Sequence, residues 1–110
     1  MTTFAVLTRL SPETLTRPEA VTELNERVTE RIKQECPQVT WKANYAVLGP
    51  YDYLDIFDAP DADTATKVCL IIRSFGHATT ETWVVTPWQR FSDLAGTLGH
   101  AAEARPAGRR

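Results

Sequence analysis

The chain contains 110 residues, of which 43% are hydrophobic and 24% charged, a composition that suits one globular domain. The formal net charge is −2 and lysine and arginine form no cluster before the C-terminal tail, so nucleic-acid binding is not expected. The two cysteines are far apart, no signal pattern opens the chain, and no apolar run approaches the ~20 residues that cross a bilayer. These features predict a cytoplasmic protein with reduced thiols and no membrane association.

Strand and helix patterns alternate in the first half of the chain. Residues 3–10 predict a strand with apolar side chains on both faces, and Pro12 ends it. The helix that follows ends at Pro37, and its apolar stripe consists of Val21, Leu24, Val28 and Ile32. Residues 39–48 alternate most regularly. This alternation predicts one strand face that carries Val39, Trp41, Ala43, Tyr45 and Val47.

The second half of the chain repeats the order strand, helix, strand. A tight turn at residues 49–52 joins the preceding strand to another over residues 52–58, which predicts a hairpin. The next helix ends at Gly76, and its buried stripe consists of Ala65, Val68, Cys69 and Ile72. Residues 79–86 predict the fourth strand. A short helix then carries Trp88, Phe91, Leu94 and Leu98 on one side. The domain is therefore assigned to residues 1–98 and a flexible tail to residues 99–110.

This order predicts an α+β protein of the ferredoxin-like βαββαβ kind with a short C-terminal helix. Right-handed crossovers place the four strands in an antiparallel sheet of order 4-1-3-2, with both long helices on one face. Several strands carry apolar residues on the opposite face as well, and an exposed apolar face of this size usually marks an interface. We therefore expect a two-fold homodimer in which the open sheet faces meet.

Four segments resemble the GYD-domain family, in the same order as in that family. They are Arg-Leu-Ser-Pro at residues 9–12, Leu-Gly-Pro-Tyr-Asp through Ala-Pro-Asp at residues 48–61, Thr-Thr-Glu-Thr at residues 79–82 and Trp-Gln-Arg-Phe at residues 88–91. The resemblance extends over about residues 3–95. It implies a dimeric α/β barrel, since the family is placed among such proteins, and it implies no particular reaction and no cofactor.

The predicted topology brings distant polar residues to one end of the sheet. The end of the first strand and the starts of the third and fourth strands share this end, so Arg9, Tyr51, Asp52 and His77 are expected to lie together. His77 is a candidate general base that Asp52 orients, while Tyr51 and Arg9 are candidate ligand-binding residues. The alternative is structural: Tyr51 and Asp52 fix the turn, and Arg9 forms an ion pair. No metal-binding cluster or cofactor motif is apparent.

Aromatic side chains on the sheet suggest a second set of ligand-binding residues, Trp41 and Tyr45. If they border a cavity between sheet and helices, they suit a small aromatic or polar ligand; otherwise they belong to the core or the dimer interface. The favoured hypothesis is a homodimeric small-molecule-binding protein, acting as a carrier, sensor or accessory subunit. The alternative is a cofactor-independent isomerase, cyclase or monooxygenase that uses Tyr51, Asp52 and His77.

Overall fold

The computed structural model describes residues 1–15, 17–76 and 78–98. In chain order, the elements are β1 (Thr2–Arg9), α1 (Pro12–Leu15), α2 (Pro18–Glu35), β2 (Thr40–Ala46), β3 (Tyr53–Ala59), α3 (Ala62–Gly76), β4 (Thr79–Val85) and α4 (Trp88–Thr97). The predicted strands and long helices are present within one or two residues of their expected ends, whereas the short helix α1 was not predicted. His77 and the tail, residues 99–110, lie outside the described residues.

The four strands form one antiparallel sheet in the order β2-β3-β1-β4. Counted from the opposite edge, this is the predicted order 4-1-3-2, so the α+β, ferredoxin-like fold is confirmed. In the register, Phe4 lies between Phe57 and Val84, while Ala5 lies between Ile56 and Trp83. Directly paired residues point to the same side of a sheet. We call the face that carries Phe4 and Phe57 the helix face, and the face that carries Ala5 and Ile56 the open face.

The core lies between the helix face and helices α2 and α3. The buried side chains Phe4, Val6 and Phe57 of the sheet belong to one cluster with Ile32 of α2 and Val68 of α3. Both predicted helix stripes take part: the other stripe residues are buried in the cluster or packed against it, namely Val21, Leu24, Val28, Ala65, Cys69 and Ile72. The period of 3.6 residues per turn explains why these positions share one side of each helix.

The regular alternation predicted for β2 is interrupted by a bulge. Trp41 pairs with Phe57, but the register then shifts, and Ala43 pairs with Ile56 and Tyr45 with Leu54. An extra residue in one strand moves every later side chain to the opposite face. The prediction that Trp41 and Tyr45 share a face was therefore wrong: Trp41 lies on the helix face and Tyr45 on the open face.

Helix α4 projects its apolar side into solvent. Trp88 is 75% exposed, and the other three residues of the predicted stripe, Phe91, Leu94 and Leu98, are exposed as well. The Trp88 and Phe91 rings contact each other, with centroids 5.3 Å apart. The predicted amphipathic helix is thus present, and its apolar side lies outside the core that the described residues form. We call Trp88, Phe91, Leu94 and Leu98 the α4 stripe.

Candidate functional site

Two groups of polar side chains on the sheet are candidates for function. The first lies at the end of the sheet where β1 ends and β3 begins. Arg9 is the last residue of β1, and its Nε donates a hydrogen bond to the Pro50 carbonyl at 2.7 Å. Its guanidinium carbon lies 5.2 Å from the centroid of the Tyr51 ring, within the range of a cation–π contact. The fold therefore gathers Arg9 and Tyr51 as the topology predicted. We call Arg9, Tyr51, Asp52 and Glu81 the turn cluster.

Tyr51 and Glu81 are joined directly, because the Tyr51 hydroxyl donates a hydrogen bond to Glu81 Oε1. This bond raises the pKa of Tyr51 above its ordinary value, and the lesser effects of burial and of the Glu81 charge act in the same direction. The same bond lowers the pKa of Glu81, and a hydrogen bond from Trp83 adds to that effect. At neutral pH the pair is a protonated phenol and a carboxylate, which is a positioning contact rather than an activated base.

Asp52 ties the turn to the end of β1. Its Oδ2 accepts a hydrogen bond from the Leu10 backbone N–H at 2.8 Å, and its own N–H donates to the Thr8 carbonyl at 2.8 Å. Its carbonyl accepts a bond from the N–H of Val47 at 2.9 Å. This agrees with a structural role for Asp52 in the hairpin. The predicted catalytic pair of Asp52 and His77 stays a prediction, since His77 lies outside the described residues.

Replacing Asp52 with alanine is expected to lower the free energy of unfolding by about 1.5–3 kcal/mol, because the N–H of the buried residue Leu10 loses a carboxylate acceptor. Urea denaturation of the two proteins measures this difference. Asp93→Ala is the matched control, since the Asp93 carboxylate accepts an exposed hydrogen bond from Gln89 of the same helix, α4, and its loss should change stability by less than about 0.5 kcal/mol. Equal losses in the two variants would contradict the role assigned to Asp52.

The second feature is a cleft on the helix face, between α2 and the hairpin of β2 and β3. Its volume is about 470 Å³, within the range of small-molecule sites. Its wall consists of Val21, Thr22, Asn25, Val28, Thr29, Ile32, Trp41, Asn44, Tyr45, Ala46, Tyr53, Asp55 and Ile72. The predicted ligand residues Trp41 and Tyr45 both contribute to this wall. Tyr45 does so although it lies on the open face, since β2 is an edge strand. Arg9 and Tyr51 belong instead to the turn cluster, so the predicted ligand-binding residues do not form one site.

Asp55 brings a carboxylate into this cleft from the middle of β3. Asn44 Nδ2, on the neighbouring strand, donates a hydrogen bond to Asp55 Oδ1 at 2.8 Å. Burial raises the pKa of Asp55, and the bond from Asn44 offsets part of that rise. Asp55 is the one formally charged side chain among the described residues of the wall. Its negative charge therefore faces the cleft without a cation from the wall.

An inner recess of about 40 Å³ extends the wall of the cleft toward β1. Thr8 borders this recess, together with Asn25, Tyr53 and Asp55, which also border the cleft. Thr8 is only 2% exposed, and its Oγ1 has no hydrogen-bond partner among the described residues. Buried hydroxyl groups are nearly always hydrogen-bonded, so the Thr8 hydroxyl can bond to a polar group that enters the recess.

The sequence pattern contained a signal for Asp55 that was not used. Asp55 is two residues before Phe57, and alternate residues of a strand share a face, so a buried Phe57 places Asp55 toward the helices. Thr8 follows the same rule through Val6. The pattern did not predict the cleft beside these residues, because the size of the cleft depends on the distance between α2 and the edge of the sheet.

Two classes of feature are absent from the part of the chain that the structure describes. It contains no group of three or more histidine, cysteine, aspartate or glutamate side chains placed to hold a metal ion. None of its helices combines the length and the apolar character that a membrane span requires.

Comparison with known proteins gives a family and similar proteins. The family model described as the GYD domain matches residues 4–95. The chain is 36% identical over 91 residues to the "Glutamine synthetase and cystathionine beta-lyase binding protein" of Thermus thermophilus, an alignment that covers 79% of this chain and 90% of that protein. Among solved structures, the solution NMR structure of a de novo designed protein with a ferredoxin fold is similar, with a TM-score of 0.47 and 15% identity over 78% of this chain and 85% of the designed one.

Proposed function

Because this chain belongs to the GYD-domain family, in which it is similar to a protein named for binding two enzymes, we propose that it is a homodimeric accessory protein that binds a partner enzyme. The observation that carries the proposal is the pair of apolar surfaces that the described residues leave uncovered, namely the open face of the sheet and the α4 stripe. Surfaces of this kind on a small domain typically bind another protein.

The open face has the composition of an interface through which two copies of a chain associate. Its central row is entirely apolar and runs from Ala43 through Ile56 and Ala5 to Trp83. The adjacent row adds Leu7 and Leu54, while Tyr45 and Trp83 are 58% and 48% exposed. An apolar centre with large aromatic side chains is typical of the buried part of protein interfaces.

Polar groups border the open face at both ends. At one end, Lys42 Nζ lies 3.7 Å from Asp58 Oδ2, and Thr3 Oγ1 donates a hydrogen bond to Asp58 Oδ1 at 2.6 Å. At the other end are Arg9 and Glu81 of the turn cluster. A polar rim around an apolar centre fits association through a two-fold axis, in which each copy presents the same surface. Sedimentation at micromolar concentration tests the dimer, and a monomer there would contradict it.

The α4 stripe fits the groove of a second kind of partner, an enzyme. A helix that presents apolar residues at i, i+3 and i+6 can insert them into a groove on another protein, which is a common mode of recognition. In this chain Trp88, Phe91 and Leu94 have that spacing and are exposed. The proposal assigns the open face to the second copy and the α4 stripe to the partner enzyme.

Phe91→Ala is expected to weaken binding of a purified partner enzyme by about tenfold or more, since exposed aromatic residues carry much of the binding energy of such surfaces. Surface plasmon resonance with immobilised glutamine synthetase, and separately with cystathionine β-lyase, measures the effect. Leu70→Ala is the control, because Leu70 is similarly exposed on α3, outside the stripe. Failure of the unmodified protein to bind either enzyme, or equal binding by both variants, would contradict the assignment.

Small-molecule binding is a second candidate function, favoured by the cleft beside Asp55. The cleft is large enough for a small ligand and combines apolar walls with a few polar groups, as ligand sites do. A ligand there would make the accessory protein a carrier or sensor. The alternative of a cofactor-independent enzyme rests on His77 with Asp52, and the engagement of Tyr51 and Asp52 in the fold favours the binding roles over it.

A further inference from the structure

The charge of the cleft wall limits the ligands that the cleft can accept. Asp55 supplies a negative charge that burial makes unfavourable, and the described wall contributes no positive charge to balance it. Among the described residues, its carboxylate accepts one hydrogen bond, from the neutral amide of Asn44 to Oδ1, which leaves Asp55 Oδ2 as an acceptor. An anionic ligand would add a second negative charge and is disfavoured, whereas a cationic group would neutralise the first.

The inner recess supplies further acceptors at the same place. The Thr8 hydroxyl is buried without a partner and can accept a hydrogen bond from a ligand. Asn25 borders both the recess and the cleft, and its amide oxygen is another potential acceptor. A primary ammonium group has three donors and no acceptor, so a carboxylate, a hydroxyl and an amide oxygen match it.

The rest of the wall is suited to an apolar body. Val28, Ile32 and Ile72 come from the two helices, and the Trp41 ring comes from β2. The Trp41 ring packs edge-on against Phe57, at 5.4 Å between centroids. This contact holds the Trp41 ring in place in the wall of the cleft. The recess that Thr8 borders shares Asn25 and Asp55 with the cleft, so the polar acceptors adjoin this apolar wall.

We propose that the cleft binds a small organic cation, an ammonium or amidinium group on an apolar or aromatic body, with the charged group on Asp55 and Thr8 and the body against Trp41. This assignment rests on the second candidate function, the binding of a small molecule. It is independent of the dimer and of the α4 stripe.

Three probes of similar size and different charge test the assignment. They are 2-phenylethylamine, 2-phenylethanol and phenylacetate, each titrated into the whole protein by isothermal calorimetry and by backbone-amide NMR. The amine is expected to bind roughly 10- to 100-fold more tightly than the alcohol, as a charge-assisted hydrogen bond predicts, and phenylacetate more weakly than either. The amide shifts are expected at Asn25, Asn44 and Asp55. If the amine and the alcohol bind equally, only the assignment to a cation is overturned. If no probe binds, the small-molecule function is overturned as well.

Asp55→Asn is expected to remove most of the preference for the amine over the alcohol, because it removes the charge and keeps the shape of the side chain. Asp58→Asn is the matched control on the same strand, since Asp58 lies on the other face with Thr3 and Lys42. It should leave the preference unchanged. Thr8→Val, which replaces the hydroxyl with a methyl group of similar size, is expected to weaken amine binding severalfold. Unchanged selectivity in Asp55→Asn would refute the assignment.

The stability of the Asp55→Asn variant shows whether weaker binding results from unfolding or from a change at the site. A carboxylate whose pKa is raised by folding makes the native state less stable as pH rises from its unfolded pKa through its folded pKa. An asparagine lacks this dependence. The variant is therefore expected to be at least as stable as the unmodified protein at pH 7, and the difference in free energy of unfolding should be smaller in acid. Weaker binding of the amine by a folded variant then reports on the site.

Discussion

Replacing Phe57 with alanine is expected to lower the free energy of unfolding by about 3–5 kcal/mol, as large-to-small changes of buried aromatic residues do. Phe57 is fully buried in β3, in the middle of the helix face. Its ring stacks on Phe4 at 5.6 Å and meets Trp41 at 5.4 Å between centroids. The alanine would leave a cavity that strands on both sides hold open, because β3 is hydrogen-bonded to β1 and to β2.

Calorimetry measures the effect as a fall in Tm of about 12 °C or more, given about 4–8 °C per kcal/mol in a domain of this size. Phe91→Ala is the matched control, since it makes the same chemical change at a side chain that is exposed on α4. Its effect on stability should stay within about 0.5 kcal/mol. Similar losses in the two variants would mean that the ring cluster of Phe57 is not the centre of the core.

Patterns with a strict period predicted the fold well. The helix stripe that includes Val28 and Ile32, and the one that includes Val68 and Ile72, lie where the 3.6-residue period placed them. The crossover rule then left one arrangement of four strands, the observed one. These features were predictable because each depends on many residues that agree, so that no single position decides the outcome.

The site was less predictable because it depends on single positions. The bulge in β2 moves Tyr45 to the opposite face from Trp41, and no residue between them marks it in the sequence. The topology did bring Arg9, Tyr51 and Asp52 to one end of the sheet. Their bonding partners, Pro50, Glu81 and Leu10, are set by side-chain geometry that topology does not specify.

The cleft illustrates the same limit in another way. The spacing of Asp55 to Phe57 predicts its face, yet its hydrogen bond to Asn44 depends on the register of β2 with β3. The recess beside the buried Thr8 hydroxyl is formed by four elements together, β1, α2, β3 and α3. Empty space is a property of packing, so sequence alone does not specify it.

Ile56→Lys is expected to weaken the proposed dimer by more than about 100-fold, since an unpaired charge buried in an interface typically costs about 3–5 kcal/mol. Ile56 is at the centre of the open face, between Ala43 and Ala5. By two-fold symmetry the change places a lysine in both copies, and the two charges also repel each other. Sedimentation velocity at micromolar concentration should therefore show a folded monomer, because a lysine on an open sheet face is solvated in the separated chain.

The control for this change is Val84→Lys, which also puts a lysine in place of an aliphatic residue on the sheet. Val84 pairs with Phe4 on the helix face at the edge strand β4 and is 68% exposed, so its lysine points away from the proposed interface. It should leave the dimer intact. Circular dichroism separates dissociation from unfolding: a monomeric Ile56→Lys with native helix and strand content supports the open face as the interface. A dimer that survives Ile56→Lys places the contact elsewhere, and the exposed α4 stripe would then be the surface to test by Trp88→Lys.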